Sequence, residues 1–194
     1  MGLKALIIHN IYIINSDGIC TLDLTLGSVK ADPELVAGVF TASQKFWGEI
    51  TGEAPKSISF QNMNVHIKPF STGEKNWYFV LISEAEKPDL VKKIEDCVLK
   101  IVEDKKELFE KFFADTTDIN TIVGGSIIEE LTKIPCPHLS KRLLKHVCEI
   151  DGTPVEGNSC NFVSMATCKF KIREHHKEDS SVVGLVDKFF DSLR

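Results

Sequence analysis

The stretch from Lys4 to Gly27 reads KALIIHNIYIINSDGICTLDLTLG and predicts a β-hairpin. Its first half, residues 3–15, is rich in isoleucine and almost continuously apolar, which is typical of a central strand. Residues 16–18 (SDG) are a turn signal. In the second strand, residues 19–26, leucines alternate with polar residues, so we expect Cys20 to share one apolar face with the leucines.

A helix is predicted after the hairpin. Asp32 suits the N-cap, Pro33 the first helical position and Gly52 the end. Apolar residues at helical spacing form a stripe that predicts contact with a sheet. The stripe consists of Leu35, Val39, Ala42, Phe46 and Ile50. Further apolar residues beside it exceed what one sheet contact requires, so Phe40 and Trp47 are candidate partner-binding residues.

Three more strands and two helices follow. The strands are predicted at residues 56–62, 63–70 and 77–85, and the helices at 87–113 and 119–133. Gly124-Gly125 is expected to kink the last helix or to permit close packing. Runs of strands joined by short turns predict an α+β fold, a five-stranded antiparallel sheet with packed helices.

This element order resembles the longin-like fold and, less closely, the roadblock fold, including small archaeal proteins of these types. The resemblance covers about residues 3–131 and is carried by IYIINSDGICTLDLTLG, DPELVAGVFTASQKFWGEI and the three strands that end in WYFVLIS. It implies a platform that dimerises through the first helix or an edge strand and binds a small GTPase or a trafficking or signalling partner. No catalytic motif accompanies it, so we expect a non-enzymatic protein.

The composition of the chain changes after Lys133. Several prolines and glycines interrupt residues 135–157 and break any long regular element. We therefore expect two parts, a longin-like domain at residues 1–133 and a cysteine-rich module with a C-terminal helix at residues 134–194. The first part contains a complete sheet and is expected to fold alone.

Four of the six cysteines lie in the second part, with the spacing C-x11-C-x11-C-x7-C. Four thiolates can close a tetrahedral zinc site or hold an iron–sulfur cluster, and metal binding would stabilise a segment with little apolar surface. The predicted ligands are Cys136, Cys148, Cys160 and Cys168, with His138 or His146 as an alternate. Burial of the thiols as small apolar groups, or disulfides, would explain the same pattern without a metal.

Composition narrows the function classes. The chain has 194 residues, 43% of them hydrophobic, and a net charge of −5. The acidic balance argues against nucleic-acid binding, and no apolar run approaches the length of a membrane span. We expect a cytoplasmic homodimer that acts as an interaction platform with structural zinc. The alternative is a redox or metal-responsive protein that carries an iron–sulfur cluster or labile zinc.

Overall fold

The computed structural model describes residues 8–27, 29–84, 88–110, 116–134, 136, 139–142, 145–148 and 154–155. Five strands form one antiparallel sheet in the order β2-β1-β5-β4-β3. They are β1 (Ile8–Asn15), β2 (Cys20–Thr25), β3 (Ser57–Ser59), β4 (Asn64–Thr72) and β5 (Lys75–Ser83). The α+β class and the central position of β1 are as predicted.

The described residues contain four helices, α1 (Pro33–Thr51), α2 (Pro88–Asp104), α3 (Lys106–Glu110) and α4 (Thr116–Thr132). The long helix predicted at residues 87–113 is interrupted at Lys105, which separates α2 from α3. None of the described helices is long and apolar enough to cross a bilayer.

The sheet separates two apolar cores. On one face, Ile11, Ile13 and Phe79 pack with buried residues of α2, α3 and α4. On the other face, Tyr12 and Ile14 pack with residues of β4, β5 and α1. Because side chains alternate along a strand, the continuous apolar run of β1 supplies both cores. This explains why its pattern does not show the polar alternation of a half-exposed strand.

Helix α4 lies close to the edge strand β2. A Cβ atom on Gly124 would lie 2.8 Å from Cδ2 of Leu24, whereas one on Gly125 would meet nothing within 4 Å. The Asn120 Oδ1 accepts a hydrogen bond from the Asp23 N–H at 2.9 Å. A side chain of α4 therefore satisfies part of the backbone of β2, which protects this edge from pairing with another chain. The close-packing alternative predicted for Gly124-Gly125 is confirmed at Gly124.

A small three-stranded sheet follows α4. It contains β6 (Leu139–Arg142), β7 (Lys145–Cys148) and β8 (Pro154–Val155) in that order. Leu139 and Cys136 pack against the core that α2 and α4 share with the main sheet. The start of the predicted second part thus contacts the first.

Candidate functional site

Local signals fix the two ends of α1. The Asp32 Oδ1 accepts hydrogen bonds from the N–H groups of Glu34 and Leu35, at 2.9 and 3.4 Å. At the other end, Gly52 adopts a left-handed conformation with φ 75° and donates its N–H to Gly48. Such a conformation strains residues that carry a Cβ atom, so glycine defines the end of the helix. The predicted caps are confirmed.

The orientation of α1 contradicts the sequence-based expectation. The predicted contact stripe lies mostly on the solvent side, where Leu35 and Phe46 are each 47% exposed and Ile50 is 62% exposed. The buried residues are Val36, Ala37, Thr41, Ser43 and Gln44. Three of these five are polar and most are small.

Packing explains this orientation. The sheet face beneath α1 already carries large side chains, among them Tyr12, Ile14 and Ile67. A helix that approaches such a surface must contribute small residues, because protein interiors are filled to a nearly constant density. Ala37 and Thr41 meet that requirement, and Phe46 on the opposite side does not. The stripe is therefore left without a described intramolecular contact surface of its own.

Both predicted partner-binding residues lie beside the exposed stripe and are half-buried. Phe40 packs against the core under α1. Trp47 makes an edge-to-face contact with Phe46, with ring centroids 5.3 Å apart and an interplanar angle of 79°. The aromatic pair is thus held in place at the surface. We define the outer face of α1 as Leu35, Val39, Ala42, Phe46 and Ile50, bordered by Trp47.

Polar groups are buried on the sheet under α1. Tyr12 on β1 is opposite Asp23 on β2, and Ile14 is opposite Cys20. Burial raises the pKa of the Cys20 thiol to about 12, with a smaller contribution from Asp23. Burial also raises the pKa values of the Asp23 carboxyl and the Tyr12 hydroxyl. Burial therefore keeps the Cys20 thiol and the Tyr12 hydroxyl in their neutral forms at neutral pH, and it disfavours the ionised form of Asp23.

The position of Cys20 differs from the prediction. Ile13 is opposite Leu22, but Ile14 is opposite Cys20, so Thr21 is an extra residue in β2. The Thr21 hydroxyl donates to the Ile13 carbonyl at 2.9 Å. This bulge reverses the alternation, so Cys20 packs on the α1 side while the leucines face the other core. Cys20 still fills a core, and its expected face was wrong.

Two of the four predicted metal ligands lie at one end of the small sheet. Leu139 is the register partner of Cys148. The Leu139 N–H donates to the Cys136 carbonyl at 2.9 Å, which places Cys136 one turn before Leu139. Both cysteines are buried, at 6% and 9% exposure. Cys20, Cys97 and Cys148 form no disulfide.

The other predicted ligands are either exposed or outside the described residues. His146 lies in β7 and is exposed. His138, Cys160 and Cys168 lie outside the described residues. Within the described part of the chain, no three histidine, cysteine or acidic residues converge in a way that could hold a metal ion. The predicted four-ligand site is therefore half described.

Sequence reasoning missed the exposure of Leu35, Phe46 and Ile50. The signal was present in the small and polar residues at positions 37, 41, 43 and 44, which also recur on one side of the helix. A stripe of small residues predicts a close approach to a surface that is already bulky. The apolar stripe by itself does not show which surface it covers.

Comparison with known proteins gives no matching family model and no similar sequence among curated proteins.

Proposed function

We propose that this chain is a non-enzymatic protein-interaction platform whose docking surface is the outer face of α1. The observation that carries the proposal is that α1 turns several polar residues towards the sheet and several large apolar residues towards solvent. It buries Thr41, Ser43 and Gln44 against the sheet and exposes about half of each of Leu35 and Phe46. Exposed apolar clusters on a regular element are typical of interaction sites.

The aromatic pair adds a second argument. Phe46 is held at the surface by its edge-to-face contact with Trp47. A side chain that is already ordered loses less conformational entropy on binding, and aromatic residues are common energetic centres of interfaces. Lys45 and Glu49 beside the apolar stripe are exposed, which provides a polar rim. This arrangement supports binding of an apolar protein surface.

The architecture supports the resemblance on which the choice of partner rests. The strand order β2-β1-β5-β4-β3, with α1 over one face and α2 and α4 over the other, is compatible with a longin-like domain. We propose a second copy of the chain as the first occupant of the outer face of α1. A small GTPase or a trafficking or signalling partner is the proposed ligand of the resulting platform.

Sedimentation equilibrium of the full-length chain tests this proposal. Phe46→Ser should raise the dimer dissociation constant about 30-fold, which corresponds to about 2 kcal/mol for a central interface residue. The matched control is Ile122→Ser on α4, because Ile122 is 45% exposed and Phe46 is 47% exposed. The control should leave the dissociation constant unchanged. Trp47→Ala should also weaken association without unfolding the chain.

Two results would contradict the proposal. One is a wild-type chain that stays monomeric at high concentration and binds no purified small GTPase in either nucleotide state. The other is equal weakening by Phe46→Ser and Ile122→Ser, because the effect would then not belong to α1.

A second candidate function is a metal-responsive or redox-responsive protein. The observation that favours it is the burial of Cys136 and Cys148 at one end of the small sheet. An iron–sulfur cluster or labile zinc would then be the sensor. A brown protein that loses its colour on oxidation would favour this function over the platform.

A further inference from the structure

The solvent side of α1 carries an ordered row of residues between its first turn and its middle. Residues three, four and seven positions apart lie on the same side of a helix, so the row forms one surface. Its exposed members are, in chain order, Glu34, Leu35, Gly38, Ala42, Lys45 and Phe46. The row is nearly symmetric about its middle. A charged and a large apolar residue stand at each end, two small residues lie between them, and the two charges have opposite signs.

Gly38 has no structural reason within the described chain. Glycine is less favourable than alanine inside a helix, and the C-terminal cap of α1 is already supplied by Gly52. A Cβ atom at Gly38 would meet nothing within 4 Å. A second helix that approaches this position closely from outside supplies the missing reason, because the distance between two packed helices depends on the size of the side chains at their contact.

A second copy of α1 fits this surface in one antiparallel arrangement. An α-helix rises about 1.5 Å per residue, so sequence positions translate directly into levels along its axis. With a two-fold axis level with position 40, Gly38 of one copy is level with Ala42 of the other. Leu35 and Phe46 of the second copy then lie within about 1.5 Å of the same level. The two small residues therefore meet near the centre, and the large apolar residues meet beside them.

The charges select the same arrangement. Glu34 of one copy lies within about 1.5 Å of the level of Lys45 of the other, at both ends of the contact. A parallel pair would instead place each of these charges beside its own copy, and like charges repel each other. A two-fold interface uses the same patch on both subunits, so a surface must complement itself in this way. Packing and charge thus agree on the antiparallel pair.

We infer that a second copy docks its own α1 antiparallel on the outer face of α1, about a two-fold axis level with Phe40. Gly38 of each copy faces Ala42 of the other, and two ion pairs join Glu34 of each copy to Lys45 of the other. This inference rests on the proposed platform function, since it specifies how the second copy occupies the docking surface.

Mixing of two charge-reversed variants of the full-length chain tests the inference. Glu34→Lys and Lys45→Glu should each raise the dimer dissociation constant about tenfold at low ionic strength, because two repulsive contacts replace two attractive ones. In an equimolar mixture each copy supplies the charge that the other needs. The mixed dimer, measured by sedimentation with one variant fluorescently labelled, should therefore recover the dissociation constant of the wild type. Damage to the fold of either variant would not be repaired by mixing.

The matched controls make the same charge changes elsewhere. Lys92 on α2 and Glu74 between β4 and β5 are exposed, so Lys92→Glu and Glu74→Lys should leave the dissociation constant unchanged, alone or mixed.

A second comparison tests the close approach of the two helices. Gly38→Leu should raise the dissociation constant about 30-fold, because the larger side chain separates the helices. The matched control is Gly125→Leu on α4, which should have no effect on association. Both positions are exposed helical glycines at which a Cβ atom would meet nothing within 4 Å.

The antiparallel pair is refuted if mixing Glu34→Lys with Lys45→Glu does not restore association, or if Gly38→Leu dimerises like the wild type. In either case a weakening by Phe46→Ser would still place association on the outer face of α1, so the platform function would stand. A wild-type chain that remains monomeric would overturn the inference as well, and binding of a small GTPase would then decide the platform function by itself.

Discussion

The close approach of α4 to β2 makes opposite predictions for two adjacent glycines. Both Gly124 and Gly125 lie inside α4, where replacing glycine by alanine gains about 0.5 to 1 kcal/mol of helix stability. A Cβ atom at Gly125 meets nothing within 4 Å, so Gly125→Ala should gain this full amount. The same atom at Gly124 would lie 2.8 Å from Cδ2 of Leu24, which is closer than carbon atoms can pack.

The cost at Gly124 follows from the position of Leu24. This side chain is 7% exposed and belongs to the core that α2 and α4 share with the sheet. Its displacement must disturb packed neighbours, and overpacking of this kind typically costs about 1 to 3 kcal/mol. Gly124→Ala should therefore be less stable than Gly125→Ala by about 1 to 3 kcal/mol, although both gain the same helix propensity.

Urea denaturation followed by circular dichroism measures this difference. Leu24→Val removes the atom that would clash, so adding Gly124→Ala to this variant should be stabilising or neutral. The coupling between positions 24 and 124 in a double-mutant cycle should thus be clearly different from zero. Equal stabilisation by Gly124→Ala and Gly125→Ala, with no coupling to Leu24, would refute the close packing of α4 on β2.

Two further predictions concern the titratable groups under α1. Asp23→Asn should raise the free energy of unfolding at neutral pH, because the folded state raises the pKa of Asp23 and so disfavours its ionised form. The gain should vanish below about pH 3.8, where the carboxyl is protonated in the folded and unfolded states alike; a loss of stability at neutral pH would contradict this reasoning. The pKa of Cys20 is raised from 9.0 to about 12, so the unfolded thiol ionises first and wild-type stability should fall between these two pH values. Cys20→Ala should lose less stability over the same range in denaturation measured at stepwise pH, and an identical decline in both proteins would show that the thiol is not responsible.

The predictions of function are checked by measurements of different kinds. Self-association of the Phe46→Ser and Ile122→Ser variants tests the outer face of α1. The zinc content of the Cys136→Ser variant, compared with that of the Cys97→Ser variant, tests the predicted cysteine ligands. Each pair introduces serine at two places in the fold, so a general loss of stability is distinguished from an effect that belongs to one surface.

Local sequence was sufficient for the order of the elements in the main sheet and for the two ends of α1, but it did not show the break at Lys105 between α2 and α3 or the strands β6 to β8. Asp32, Pro33 and Gly52 define α1 because capping depends on the backbone within one turn. The apolar run of β1 predicted a central strand because only a strand covered on both faces is free of polar alternation. Cys136 and Cys148 were predicted as metal ligands together with Cys160 and Cys168, from their clustering in the sequence, and this stays a prediction.

Tertiary structure decided which faces are buried. The outward orientation of Phe46 follows from the bulk of Tyr12, Ile14 and Ile67 on the sheet, which are distant from α1 in sequence. The side on which Cys20 lies depends on the bulge at Thr21, because the extra residue puts Cys20 and Leu22 on opposite faces of the sheet. Cys136 meets the end of β7 only through the pairing of Leu139 with Cys148. Periodicity along the chain shows that a face is apolar, and only the packed neighbours determine what covers it.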